Sequence, residues 1–324
     1  DAAVALSYRM TGERRWKEGL PLIRVQNERS VYDQTLDYTA PNMFAGSIFY
    51  LEPDTDYDVQ LTMSDPNGVT GKAVRTVTMH TRAEPEAFSG GRVLHVYPPD
   101  HTGPEEQPAY HGLLGAYYMA GLGGDWSRAS APRVKAGDTL LVHAGVYQEF
   151  NRRNYTHEID SGYTTCCGTT WDGTYYLTAD GTEEMPITIK AAGDGEVIFD
   201  GADNYVLFNM MGGDWHLFEG LTFRNTSIAI EAGIKGITGA EGIMVKYSRF
   251  EDVSTAIHSD WSGSNKFYIA DNEMIGRRPQ ELMGWYNIPP WNEQPDFEEK
   301  RLLDSYYAVS IYGAGHVIAH NYVT

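Results

Sequence analysis

Three short segments of this chain share an apolar–apolar–polar pattern whose polar members can move protons. They are Ala229-Ile230-Glu231, Ala256-Ile257-His258 and Ala308-Val309-Ser310. If the segments pair as neighbouring strands, Glu231, His258 and Ser310 form one outward row at about 4.8 Å spacing. His258 is followed by Asp260 and Trp261. An imidazole that titrates near neutrality, a carboxylate that orients it or binds a cation, and a ring that stacks on a sugar suit general acid–base chemistry on a carbohydrate. Lys235 is a second candidate base, since burial or a like charge brings an ammonium towards neutrality. The set read as catalytic is His258, Lys235 and Asp260, with Glu231 and Trp261 on the substrate. Lys246 and Arg249 are further cations on the same repeats. Against this, a solvated strand face carries ordinary polar residues, and a single lysine is most often a surface charge.

These residues need a frame that repeats, and the sequence supplies one. The stretch from His216 to Ile230 is echoed by Met244 to Ile257, by Tyr268 to Gly276 and by Val317 to Thr324. Aligned on Phe223, Phe250, Met274 and Val323, the first two steps are 27 and 24 residues. A period of that size marks a solenoid. The repeats are short, rich in Val, Ile, Phe and Tyr, and separated by Gly, Asn and Ser, so they are strands. Strand–turn units stacked in this way predict a right-handed parallel β-helix, because parallel crossovers are right-handed in nearly all cases. Asn272 and Asn321 align one step apart and read as an internal ladder of amide side chains. His316 and His320 lie on the last repeat and are weak ligand candidates.

Two insertions interrupt the repeats. Phe223 to Ala229 and Phe250 to Ala256 are each six residues apart, whereas Met274 and Ala308 are 34 apart. About 28 residues (277–304) are therefore expected to leave as one flap, carrying Trp285, Tyr286 and Trp291 as candidate sugar platforms. An earlier insertion spans about residues 151–184. The chain stops inside a repeat, which predicts either further polypeptide or a stacked neighbour at that end.

The N-terminal part of the repeat region carries a resemblance. A short helical stretch (His111–Leu122), then AGDTLLVHAGVY (Ala136–Tyr147), then PITIKAAGDGEVIFDG (Pro186–Gly201) resembles the capped start of the pectate-lyase-like β-helix superfamily. It covers roughly residues 91–324 and speaks for fold more than for reaction. The resemblance implies an extracellular or periplasmic protein acting on a polysaccharide. Lyases of that superfamily use a Lys or Arg base, often with calcium neutralising the substrate acid. Polygalacturonase-type hydrolases need paired acids, and Glu251-Asp252 is the one adjacent acidic couple on these repeats. The rival reading is a non-catalytic surface or filament protein.

Residues 1–82 read as a separate domain, joined by a linker at 83–91 to the β-helix at 92–324, with its cap at about 92–150. LEPDTDYDVQLTM (Leu51–Met63) alternates with period two, as a half-buried strand does. It resembles the fibronectin type III signature, with Tyr57 at the tyrosine corner. Val4–Val25 resembles the central hairpin of that β-sandwich and Val74–Arg82 its last strand, so the first two strands are expected to precede Asp1.

Composition narrows the partners. A net charge of −19 over 324 residues excludes the basic footprint that nucleic acid requires. No apolar run approaches the ~18 residues of a membrane span. The two cysteines, Cys166 and Cys167, are adjacent, and their Cα spacing of about 3.8 Å is too short for an unstrained disulfide.

Overall fold

The computed structural model describes residues 1–32, 36–119, 131–148, 164–165, 168–169, 175–210, 212–233, 239–259, 263–276 and 307–324. The chain divides into two compact units, Asp1–Glu84 and Pro85–Thr324. The boundary falls within the segment expected to be a free linker, and residues 85–91 belong to the second unit. Lys246 shows why: its Nζ donates to the Pro85 carbonyl at 2.7 Å.

In the first unit, an antiparallel sheet runs in the order Lys17–Glu18, Ala3–Met10, Asp56–Ser64, Val74–His80. The expected hairpin turns at Thr11-Gly12, with Gly12 at φ 92°. Trp16 lies under the Arg9 guanidinium, 4.4 Å from ring centre to Cζ. Val4, Leu6, Tyr57 and Val59 are the buried apolar residues of this unit. The strand read from Leu51 starts later, at Asp56. Pro53 has no N–H to donate, and Asp54 is left-handed at φ 49°, so the chain turns before it pairs. Tyr57 is buried, and its hydroxyl accepts the Glu52 backbone N–H at 2.9 Å.

The second unit is all-β apart from one short helix among the described residues, Leu113–Tyr117. Its strands alternate between two parallel sheets. The first runs Ala109–His111, Val93–Tyr97, Thr139–Val142, Ile187–Ala191, His216–Glu219, Met244–Lys246, Tyr268–Ala270, Val317–Ala319. The second runs Gly145–Tyr147, Val197–Asn209, Thr222–Ala232, Arg249–Ser259, Glu273–Gly276, Tyr322–Val323. Tyr175–Tyr176 pairs beside Val197–Asn209, and Tyr307–Ser310 beside Arg249–Ser259. The helix covers the start of the stack, burying Leu113, Ala116 and Tyr117 completely. It is shorter than the stretch 111–122 read as helical.

The repeat alignment holds residue by residue. Tyr147, Phe199, Phe223, Phe250, Met274 and Val323 follow one another across the second sheet in direct register. The Phe223 and Phe250 rings stack at 4.8 Å and 13°. The turn from first to second sheet is two residues long at four successive repeats: Gly220-Leu221, Tyr247-Ser248, Asp271-Asn272 and His320-Asn321. The first residue of each is left-handed, with φ of 73°, 50°, 57° and 53°. The second residue carries the ladder. Asn272 Oδ1 accepts from Ser248 N, its Nδ2 donates to Val245 O and Asn321 Oδ1, and Asn321 Nδ2 donates to Ile269 O, all within 3.0 Å.

Candidate functional site

The candidate row sits near the ends of the long strands of the second sheet. Along Thr222–Ala232 and Arg249–Ser259, Ala229, Ile230, Ala256 and Ile257 enter the apolar core. The residue that follows each pair is therefore turned towards the surface. Glu231 lies opposite His258, and His258 opposite Ser310. On the other flank Glu231 meets Asn209, which is buried. The three residues read from the sequence are thus brought together, and Asn209 extends the row by one strand.

Both central side chains are part-sheltered, with 19 % of Glu231 and 30 % of His258 exposed. The ring nitrogen Nδ1 of His258 stands 3.9 Å from Glu231 Oε1. That is ion-pair range when the ring carries its second proton, and beyond direct hydrogen-bond length. Next to the row, Ser259 is fully buried and its Oγ accepts the Tyr312 backbone N–H at 2.9 Å. This bond fixes the chain beside Ser310. An imidazole with an adjacent carboxylate, fixed on paired backbone, can accept a proton from a substrate and return it.

Lys235, Asp260, Trp261, Trp285, Tyr286 and Trp291 lie outside the described residues, as do both cysteines. Two other cations are occupied elsewhere. Lys246 belongs to the first sheet, where it is buried, bonded to Pro85 O and 3.8 Å from Glu219. Arg249 bonds Glu251 at 3.0 Å and Glu273 at 2.8 Å, joining two repeats by charge. Glu251, the first of the adjacent acidic couple, is thereby tied to Arg249. His316 is structural as well: Nδ1 accepts Phe267 N–H at 3.1 Å and Nε2 donates to Tyr312 O at 3.1 Å. His320 occupies the left-handed turn position and is largely exposed.

Calcium takes six to eight oxygen ligands. Among the described residues the row offers one carboxylate, one amide and a hydroxyl around an imidazole, fewer oxygens than that ion takes, and Asp260, the residue read as binding a cation, lies outside them. Among the described residues no group of three or more His, Cys, Asp or Glu could hold a metal. No helix among them is long and apolar enough to cross a membrane.

A second polar cluster has no counterpart in the sequence reading. His95, His143 and Asp194 form a continuous hydrogen-bonded line at the first strands of the stack. Pairing Leu94 with Leu140 and Val96 with Val142 would have set His143 across from Tyr97 and given the signal.

No protein-family model matches the chain, and neither the curated proteins nor the solved structures contain a match.

Proposed function

We propose that the second unit is a right-handed parallel β-helix of the pectate-lyase-like kind, and that the chain is a secreted, carbohydrate-active protein acting on an extracellular polysaccharide. The front unit is read as part of a fibronectin type III-like sandwich. Three features support that: the sheet order with Lys17–Glu18, Ala3–Met10, Asp56–Ser64 and Val74–His80, the antiparallel pairing, and the Tyr57–Glu52 bond. The β-helix reading is supported by the alternation of strands between two parallel sheets and the repeated two-residue left-handed turn.

The single observation carrying the functional reading is the register of Glu231 with His258 and Ser310. In β-elimination, His258 would take the proton α to a uronate carboxylate. The electron pair left behind forms the ring double bond as the C–O bond to the leaving sugar breaks, and the departing glycosidic oxygen takes a proton from water or the one His258 removed. Glu231 would hold the imidazole against its carboxylate, with Lys235, Asp260 and Trp261 completing the groove. Hydrolysis is the alternative outcome on the same polymer.

The test is product chemistry with the purified chain on uronate-rich and neutral polysaccharides. Lyase action yields an unsaturated, ultraviolet-absorbing end at each cut, and hydrolysis yields saturated reducing ends only. A chain that cuts none of them and instead self-associates supports the structural-rod reading and sinks the enzymatic one.

A further inference from the structure

Elimination at this row uses a base and the carboxylate beside it, and it leaves the third member without a part. Ser310 ends the strand Tyr307–Ser310 and pairs with His258, on the flank opposite Glu231. The imidazole therefore stands between an acid and a hydroxyl in one row of one sheet. The other serine at this place is occupied: Ser259 is fully buried and its Oγ accepts the Tyr312 N–H. Ser310 is only part-buried.

The two nitrogens of the ring are not equivalent. Nδ1 is the one that faces Glu231, 3.9 Å from Oε1, and it is buried. Yet 30 % of the His258 side chain is exposed, so the open part of the ring lies away from Nδ1, on the edge formed by Nε2 and Cδ2. An ionised carboxylate only accepts, so Glu231 selects the tautomer with its proton on Nδ1 and leaves Nε2 as the acceptor. Neighbouring strands lie about 4.8 Å apart, which puts a hydroxyl at Ser310 within reach of the imidazole on the next strand. Acid at Nδ1 and hydroxyl at Nε2 is the order in which a serine becomes a nucleophile. Resting sites commonly hold these bonds long and tighten them as charge develops on the ring.

We infer that Ser310 is a nucleophile activated by His258 and positioned through Glu231, and that the row hydrolyses carboxylic esters carried by the polysaccharide. This rests on the reading of the row as a carbohydrate site. Ser310 Oγ bonds to the ester carbonyl carbon while its proton passes to His258 Nε2. The C–O bond to the alcohol then breaks, and the departing oxygen takes that proton. Water attacks the acyl-Ser310 carbonyl and gives a proton to Nε2, which returns it to Ser310 Oγ as the free acid leaves. One ester and one water become one acid and one alcohol, with nothing else consumed. An ester carbonyl carries no charge, so a chain of net charge −19 does not repel it as it repels a strongly anionic polymer. Tyr307 and Tyr312, before and after Ser310 in the chain, are largely exposed rings able to stack on a sugar.

The experiment is labelling of the intact chain with a fluorophosphonate, which captures activated serine hydroxyls, followed by peptide mapping. The wild type should carry the phosphonyl group on Ser310, a result that needs no variant. Labelling should vanish in Ser310→Ala and slow at least ~100-fold in His258→Ala, the low end for loss of a general base. Two ester-bearing polymers identify the source of the ester: acetate is released from an acetylated neutral polysaccharide, or methanol from a methyl-esterified uronate polymer. An unlabelled Ser310, an unchanged labelling rate in His258→Ala, or release of neither product overturns the inference. These readouts do not depend on chain cutting. A labelled, ester-cleaving chain that cuts no polymer overturns depolymerisation alone, and a polymer-cutting chain with Ser310 unlabelled overturns the ester reading alone.

Discussion

His216 shows what complete burial does to a titrating residue in this chain. Its Nδ1 donates to Asp214 O at 3.1 Å, and its Nε2 accepts the Tyr117 hydroxyl at 3.1 Å. Both ring nitrogens are satisfied in the neutral form, and burial lowers the pKa to about 4. The same burial holds the Tyr117 phenol well above its usual value. An unfolded histidine titrates near 6.5, so between those values the unfolded chain binds the extra proton and the folded one does not. Stability is full above about pH 6.5 and falls by up to ~3 kcal/mol as the pH drops towards 4. Urea unfolding of the second unit should show that slope, and His216→Gln should flatten it while lowering stability at pH 7. A slope unchanged in the variant would assign the acid sensitivity to other groups. At this scale the sequence was only partly readable. His258 and Glu231 declared themselves through a repeat, whereas His216 and the His95–His143 line depend on which way a single side chain turns.

At the scale of elements, the repeat was legible because each position is fixed twice. Phe223, Phe250 and Met274 each stand second in the strand after a two-residue turn, and each must be apolar because it enters the core. The ladder at Asn272 and Asn321 was legible for a related reason: a buried turn needs a side chain that both donates and accepts. Asn272→Ala would take the side-chain acceptor from the buried Ser248 N–H and the side-chain donor from Val245 C=O, and would open a cavity in the ladder, while Asn321 Oδ1 keeps the Asn272 backbone N–H at 3.0 Å. Unsatisfied buried groups cost about 1–3 kcal/mol apiece. The expected loss is about 3 kcal/mol, seen as a lower urea midpoint of the second unit. A loss under ~1 kcal/mol would mean the ladder is dispensable. The left-handed turn was less legible, because Gly220 announces it but Tyr247, Asp271 and His320 do not. Lys246 misled for another reason: its burial depends on Pro85, 161 positions away in the chain.

At the scale of the whole molecule, an acidic two-unit chain carries one row of four polar residues on a parallel sheet. The division into units was readable from the period-two strands before residue 82 and the repeats after 92, whereas the assignment of residues 85–91 to the second unit was not, since the Lys246 contact to Pro85 joins positions far apart in the chain. The central claim is that His258, held beside Glu231, moves protons on a polysaccharide. It is tested most directly by the depolymerisation rate of His258→Ala against the wild-type chain, on whichever polymer the wild type cuts, with unfolding transitions matched. The expected rate is at least ~100-fold lower in the variant, the smaller end of what loss of a general base costs. A variant that cuts the polymer at the wild-type rate would contradict it.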